Sequence, residues 1–128
     1  MLAETVEFYY YANCSSCRKA DALLRLEHIP VKRREFFKQR LSPAEIRALL
    51  ARAGLSVHDA LSTRSRPYQE MGLASKQLSD DELIELMSEQ PALLRRPLLV
   101  WSGGALVGFN QAAYEALGTT LNGSGKDG

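Results

Sequence analysis

The chain has 128 residues, 45% hydrophobic and 24% charged, the proportions of one soluble globular domain rather than of a disordered or collagen-like chain. The 16 Lys and Arg against 15 Asp and Glu leave a net charge of +1, so no global basic field draws nucleic acid, and direct nucleic-acid binding is not expected. Only two cysteines occur, Cys14 and Cys17, whereas a disulfide-framed secreted domain carries about four or more.

The N-terminus carries Glu4 and lacks a basic start followed by an apolar run, so it does not read as a secretory signal. No stretch approaches the roughly 18 apolar residues of a membrane span. A cytoplasmic protein is expected, and there a close cysteine pair reads as redox or metal chemistry. Val6, Phe8 and Tyr10 alternate with Glu7, Tyr9 and Tyr11, which predicts a strand ending near Tyr11. Cys17, Ala20, Leu23 and Leu24 then follow at helical spacing until Ile29-Pro30 stops the pattern. Val31 to Phe36 is a weaker strand whose Lys32-Arg33-Arg34 run suits an edge.

Ser42-Pro43-Ala44-Glu45 combines a capping Ser, a Pro at the first helical position and a Glu three after the cap, and Gly54 is placed to end that helix. Ser79-Asp80-Asp81-Glu82 repeats the capping pattern. Shorter helical turns fill about Ser56 to Leu73. Leu93 to Trp101, Ser102-Gly103-Gly104 and Ala105 to Phe109 read as strand, turn and strand. Asn110 then caps a short last helix closed by Gly118. The order predicts an α/β fold, one mixed sheet in a single domain over 1–120 with a helical insertion at about 42–90. Residues 121–128, rich in Gly and polar residues, read as a flexible tail.

Cys14 stands where the first strand hands over to the first helix. Unpaired amides and the dipole at a helix N-terminus stabilise a negative charge by about 0.5–2 kcal/mol, so Cys14 is placed to be the attacking thiolate. Cys17, three residues on, lies in the first turn on the same side and can close a local disulfide. Arg18 and Lys19 add positive charge that favours a thiolate and an anionic substrate. Zinc needs two further ligands, and His28 and His58 stand in unrelated contexts, so no metal is expected.

Several blocks carry a family resemblance: Tyr11 to Ala20 with its Asn13-Cys14-Ser15-Ser16-Cys17 core, Ser62-Thr63-Arg64-Ser65-Arg66-Pro67-Tyr68, Pro91 to Val100, and Val107-Gly108-Phe109-Asn110. In this order they resemble the arsenate reductase/Spx family, a branch of the thioredoxin/glutaredoxin-like fold with an inserted helical segment. The resemblance implies that Cys14 is the nucleophile and that Pro97 is a cis-proline facing the cysteine loop. It further implies that Arg96 points its guanidinium at the thiolate or an oxyanion. A fixed, always charged fork suits that task better than Lys would. Arg64, Arg18 and Asn13 are the other expected substrate-binding residues, with Pro97 beside them.

Two activities remain open from this resemblance. The first is a thiol-dependent reductase acting on arsenate, another oxyanion or a mixed disulfide, with no bound cofactor and with glutathione and glutaredoxin, or thioredoxin, as electron donor. Cys17 stands where glutaredoxin-dependent arsenate reductases carry a small residue. The second is a redox-switched regulator that binds the C-terminal domain of the RNA polymerase alpha subunit, as Spx does. A monomer is expected in either case.

Overall fold

A computed structural model describes residues 5–126, with side chains as far as 121. Phe8 and Tyr9 point to opposite sides of strand β1 (Glu7–Tyr10), and both are buried. A strand covered on both faces belongs in the middle of a sheet. Strand β1 pairs in parallel with β2 (Lys32–Glu35) and antiparallel with β3 (Leu98–Trp101). The last strand, β4 (Gly104–Val107), pairs antiparallel with β3, so the sheet order is β2-β1-β3-β4. The Lys32-Arg33-Arg34 run therefore lies on an edge, as expected. Arg33 is tied there to Asp21 of the first helix at 2.6 Å.

Helix α1 (Ser15–Leu26) crosses from β1 to β2 and packs beside α6 (Gln111–Lys126). Their shared core holds Val6, Phe8, Leu24, Leu99 and Tyr114. The opposite face of the sheet carries the inserted helices α2 (Pro43–Ala53), α3 (Val57–Ala60), α4 (Arg66–Glu70) and α5 (Asp80–Glu89). They bury Ile46, Leu49, Leu83 and Met87 with Tyr9, Leu98 and Val100. The reciprocal capping boxes read at Ser42/Glu45 and Ser79/Glu82 are both formed, and a third, unanticipated, joins Ser56 and Asp59. Gly54 ends α2 at φ 69°, the left-handed conformation that glycine adopts without a Cβ clash.

Two features depart from the sequence expectation. Tyr9 serves the insertion side: its hydroxyl donates to Glu7 Oε1 at 2.8 Å and accepts from Arg52 Nη2 at 2.9 Å, so α2 is tied to the central strand. The second departure is the last helix, expected to close at Gly118 and be followed by a flexible tail. It continues to Lys126, so the backbone of residues 121–126 is helical, while 127 and 128 lie outside the described residues. Gly118 is a crossing point instead of a cap, since a Cβ there would meet Glu27 Cβ at 2.9 Å, the end of α1. Asn110 does cap this helix, accepting from the Ala113 N–H at 3.0 Å.

Candidate active site

The parallel β1–β2 pair and the antiparallel β1–β3 pair converge where β1 ends, and the cysteine loop leaves from there. Cys14 is the N-cap of α1 in an extended conformation (φ −97°, ψ 123°), with no side-chain capping bond. Its N–H donates to Tyr11 O at 3.1 Å, and its carbonyl accepts the Arg18 N–H at 3.0 Å. Cys14 is half-buried and Cys17 is buried at 1% exposure; both are free thiols. The Tyr11 N–H points at Cys17 Sγ, 3.5 Å away.

Burial pushes the Cys17 thiol up to about 12. The neighbouring Cys14 pushes the same way, against the Tyr11 N–H and the Arg96 guanidinium, which pull it down. The two sulfurs are thus neighbours with unequal environments, one partly open and one sealed under the loop. That asymmetry separates the sulfur that can meet an external partner from the sulfur that can meet only its neighbour.

Arg96 precedes Pro97 through a cis peptide bond, as the resemblance implies. Leu98 pairs with Tyr9 across the sheet, so the buried Pro97 lies at the end of β1 where the loop departs. Arg96 is half-buried: Nη1 donates to Ala92 O at 3.2 Å and to Leu94 O at 3.5 Å, while the buried Nε has no hydrogen-bond partner among the described residues. The guanidinium carbon lies 5.2 Å from the Phe37 ring centre and 5.9 Å from that of Tyr11. These distances are within cation–π range.

The other expected residues divide. Asn13 is exposed beside Cys14, and its Nδ2 donates to the Tyr11 hydroxyl at 3.3 Å. Arg18 is exposed one turn along α1, contributing its backbone N–H to the Cys14 carbonyl but, among the described residues, no side-chain bond. Arg64 stands in an exposed turn before α4. That turn is anchored to the strand-like stretch before Pro97 by Ser62 N–H to Leu93 O at 2.6 Å, yet no hydrogen bond or ion pair joins the Arg64 side chain to Cys14, Cys17 or Arg96. Among the described residues no group of three or more His, Cys, Asp and Glu is placed to hold a metal.

Sequence reasoning missed three contributors: Tyr11, Phe37 and Glu35. The Tyr11 and Phe37 rings stack with centres 3.8 Å apart and planes 16° apart. Glu35 ends β2 opposite Tyr10, and the parallel register puts its carboxylate within reach of the loop leaving β1. An acidic residue closing the strand parallel to β1 was the available signal, obscured by the three basic residues before it.

The environments of Cys17 and Tyr9 give a pH prediction. Their ordinary values are 9.0 and 10.0, and both are pushed to about 12, Tyr9 by burial first and by Glu7 next. Between the ordinary and shifted values the folded chain holds protons that the unfolded chain releases, so stability falls as pH rises from about 9 towards 12. Urea midpoints should drop across that interval, less steeply for Cys17→Ala; a flat wild-type profile would contradict the burial argument. Near neutral pH, Cys17 remains a protonated thiol, so a limiting alkylating agent should label Cys14 first, as peptide mapping would show.

Comparison with known proteins extends these observations. The ArsC family model matches residues 9–117. The global transcriptional regulator Spx of Enterococcus faecalis is 37% identical over 103 residues, which are 80% of this chain and 78% of that protein. Regulatory protein MgsR of Bacillus subtilis is 30% identical over 85% of this chain and 86% of its own length. Among solved structures, arsenate reductase from Vibrio cholerae superposes with a TM-score of 0.75 at 29% identity, covering 94% of this chain and 97% of that one. No described helix is long and apolar enough to cross a membrane.

Proposed function

Since the chain belongs to the ArsC family, with its thioredoxin-like mixed sheet, we propose that it is a thiol-dependent oxidoreductase in which Cys14 attacks and Cys17 resolves. The single observation that carries this reading is the placing of a partly exposed Cys14 at the start of α1 with a buried Cys17 one helical turn on. In the disulfide form of the reaction, the Cys14 thiolate attacks one sulfur of an external disulfide, and the other sulfur leaves as a thiolate. Cys17 then gives up its proton and attacks the Cys14 sulfur, expelling the second substrate thiolate. Two electrons pass from the cysteine pair to the substrate, and the pair ends as a disulfide. Glutathione with glutaredoxin, or thioredoxin, returns them.

Arsenate or another oxyanion is the alternative oxidant at Cys14, with Arg96 as the charge that acts on the cysteine pair. Arg64 is exposed, and among the described residues no hydrogen bond or ion pair joins its side chain to the cysteine pair, so Arg96 is the arginine assigned to this branch. Arsenate-dependent NADPH oxidation, run with each reducing system, tests the oxyanion branch: equal rates for wild type and Cys14→Ser would remove it. Reduction of glutathione disulfide by the pre-reduced protein tests the disulfide branch: two equivalents of glutathione are expected per protein, and release of one or fewer would remove that one.

A second reading follows from the named relatives. Spx and MgsR are regulators by name and match over most of this chain, which supports a regulatory role; the form we propose is a cytoplasmic regulator switched by the cysteine pair and docking on the RNA polymerase alpha C-terminal domain. A pull-down with that domain in the reduced and oxidised states decides it. Binding in one state alone supports the switch, and no binding in either state removes it.

A further inference from the structure

Glu35 joins the cysteine loop to the turn after β2, and each of its side-chain hydrogen bonds among the described residues is accepted from a backbone N–H. Its Oε2 accepts the Ala12 N–H at 3.1 Å. Its Oε1 accepts the Phe37 N–H at 2.7 Å and the Lys38 N–H at 3.2 Å. One carboxylate therefore holds two separate backbone segments. The first is the loop between β1 and Cys14; the second is the turn that follows β2. Charge-assisted bonds of this kind are the strong ones among hydrogen bonds.

What these two segments carry is informative. Ala12 follows Tyr11 directly, and Phe37 is itself one of the bonded residues, so the carboxylate sits at the backbone of both stacked rings. The Arg96 guanidinium lies over this ring pair, and Tyr11 also supplies the N–H aimed at Cys17 and the carbonyl that accepts the Cys14 N–H. Apart from the rings, Arg96 has two bonds among the described residues, to carbonyls of its own segment at 3.2 and 3.5 Å. Its position is thus set largely by an aromatic seat whose two halves follow different strands, β1 and β2.

We infer that Glu35 is a positioning residue of the redox site: by clamping the Ala12 and Phe37 amides it holds the Tyr11–Phe37 ring pair together as the seat of Arg96, and so sets the positive charge presented to the cysteine loop. This rests on the reading of Cys14 as the attacking sulfur. It makes a prediction opposite to simple electrostatics. Deleting an acidic group near a thiol site should by charge alone speed the approach of an anionic reagent; unseating Arg96 should slow it.

The test compares the rates at which Cys14 reacts with a dianionic aromatic disulfide, 5,5′-dithiobis(2-nitrobenzoate), and with the neutral 4,4′-dithiodipyridine. For Glu35→Gln and Glu35→Ala the anionic-to-neutral rate ratio is expected to fall about fivefold, the size of a partly exposed charge interaction. Arg96→Ala should give a similar fall, and adding Glu35→Gln to it should change the ratio little further. Amide exchange at Ala12 and Phe37 should be faster in Glu35→Gln. A ratio that stays constant or rises in both Glu35 variants overturns the inference, even where the variants lose thermal stability, because a purely structural role moves the melting temperature and not the ratio. Slow exchange at both amides in Glu35→Gln overturns it as well, and that reading stands if Glu35→Ala fails to fold. If wild-type Cys14 reacts with neither reagent, the nucleophile assignment itself fails, and the inference falls with it by a distinguishable route.

Discussion

Cys14→Ser is expected to lose thiol-dependent turnover by a factor on the order of a thousand or more, the usual scale for deleting an activated nucleophile. Serine keeps the size and the N-cap position but cannot form a stable anion at neutral pH, so the fold should survive while the chemistry stops. The partner substitution separates the two roles. Cys17→Ser leaves the exposed sulfur able to attack but removes the only cysteine beside it. Treated with glutathione disulfide, this variant should accumulate as a one-to-one mixed disulfide, while the wild type proceeds to an internal disulfide without retained glutathione. Intact mass spectrometry reads both outcomes. Were Cys14→Ser to capture glutathione on Cys17 at the wild-type rate, the assignment of attacking and resolving sulfurs would be reversed.

The buried face around α1 and α6 gives the second prediction, a contrast between two aromatic residues that are both 0% exposed. Phe8 sits on the central strand, stacked with Tyr10 at 5.3 Å between ring centres and packed under both helices. Phe8→Ala removes a whole ring from a site that cannot collapse easily and should cost about 3–5 kcal/mol. That is a large share of a domain's typical stability of about 5–15 kcal/mol. Tyr114 lies in the same cluster, and its hydroxyl is buried without a hydrogen-bond partner among the described residues. Burial without a partner is unfavourable for a hydroxyl, so Tyr114→Phe should be neutral or raise stability by up to about 1 kcal/mol. Urea titrations of both variants give the comparison. Equal destabilisation by the two would mean that the Tyr114 hydroxyl is bonded in solution.

Much of the site could be read from local sequence because its ingredients are local. The strand-to-helix handover that puts Cys14 at an N-terminus depends on a change from period-2 to helical spacing within a dozen residues. The capping boxes at Ser42/Glu45 and Ser79/Glu82 close over three residues, and Gly54 needs only its own backbone freedom. Cys17 follows Cys14 by one turn of a helix, so their proximity is a property of helix geometry. Such features are encoded wherever the interacting groups are near one another along the chain.

The remaining features depend on which distant segments meet. Glu35 reaches Ala12 only because β2 pairs in parallel with β1 in a register that sets Glu35 opposite Tyr10; a shift of one residue would turn its side chain to the other face. The Tyr11–Phe37 seat requires that same register and then the crossing of the segment before β3 to bring Arg96 over it. Arg64 shows the converse: it belongs to a suggestive run in the sequence, yet its turn leaves the side chain in solvent. Gly118 reads as a helix stop and acts as a close contact with Glu27, because only the packing of α6 on α1 gives it a neighbour. The sequence by itself determined the cysteine pair, its place at the start of a helix and the order of elements. The tertiary structure alone decided what holds the loop and where Arg96 rests, since each of these depends on contacts made across strands and helices that are far apart in the chain.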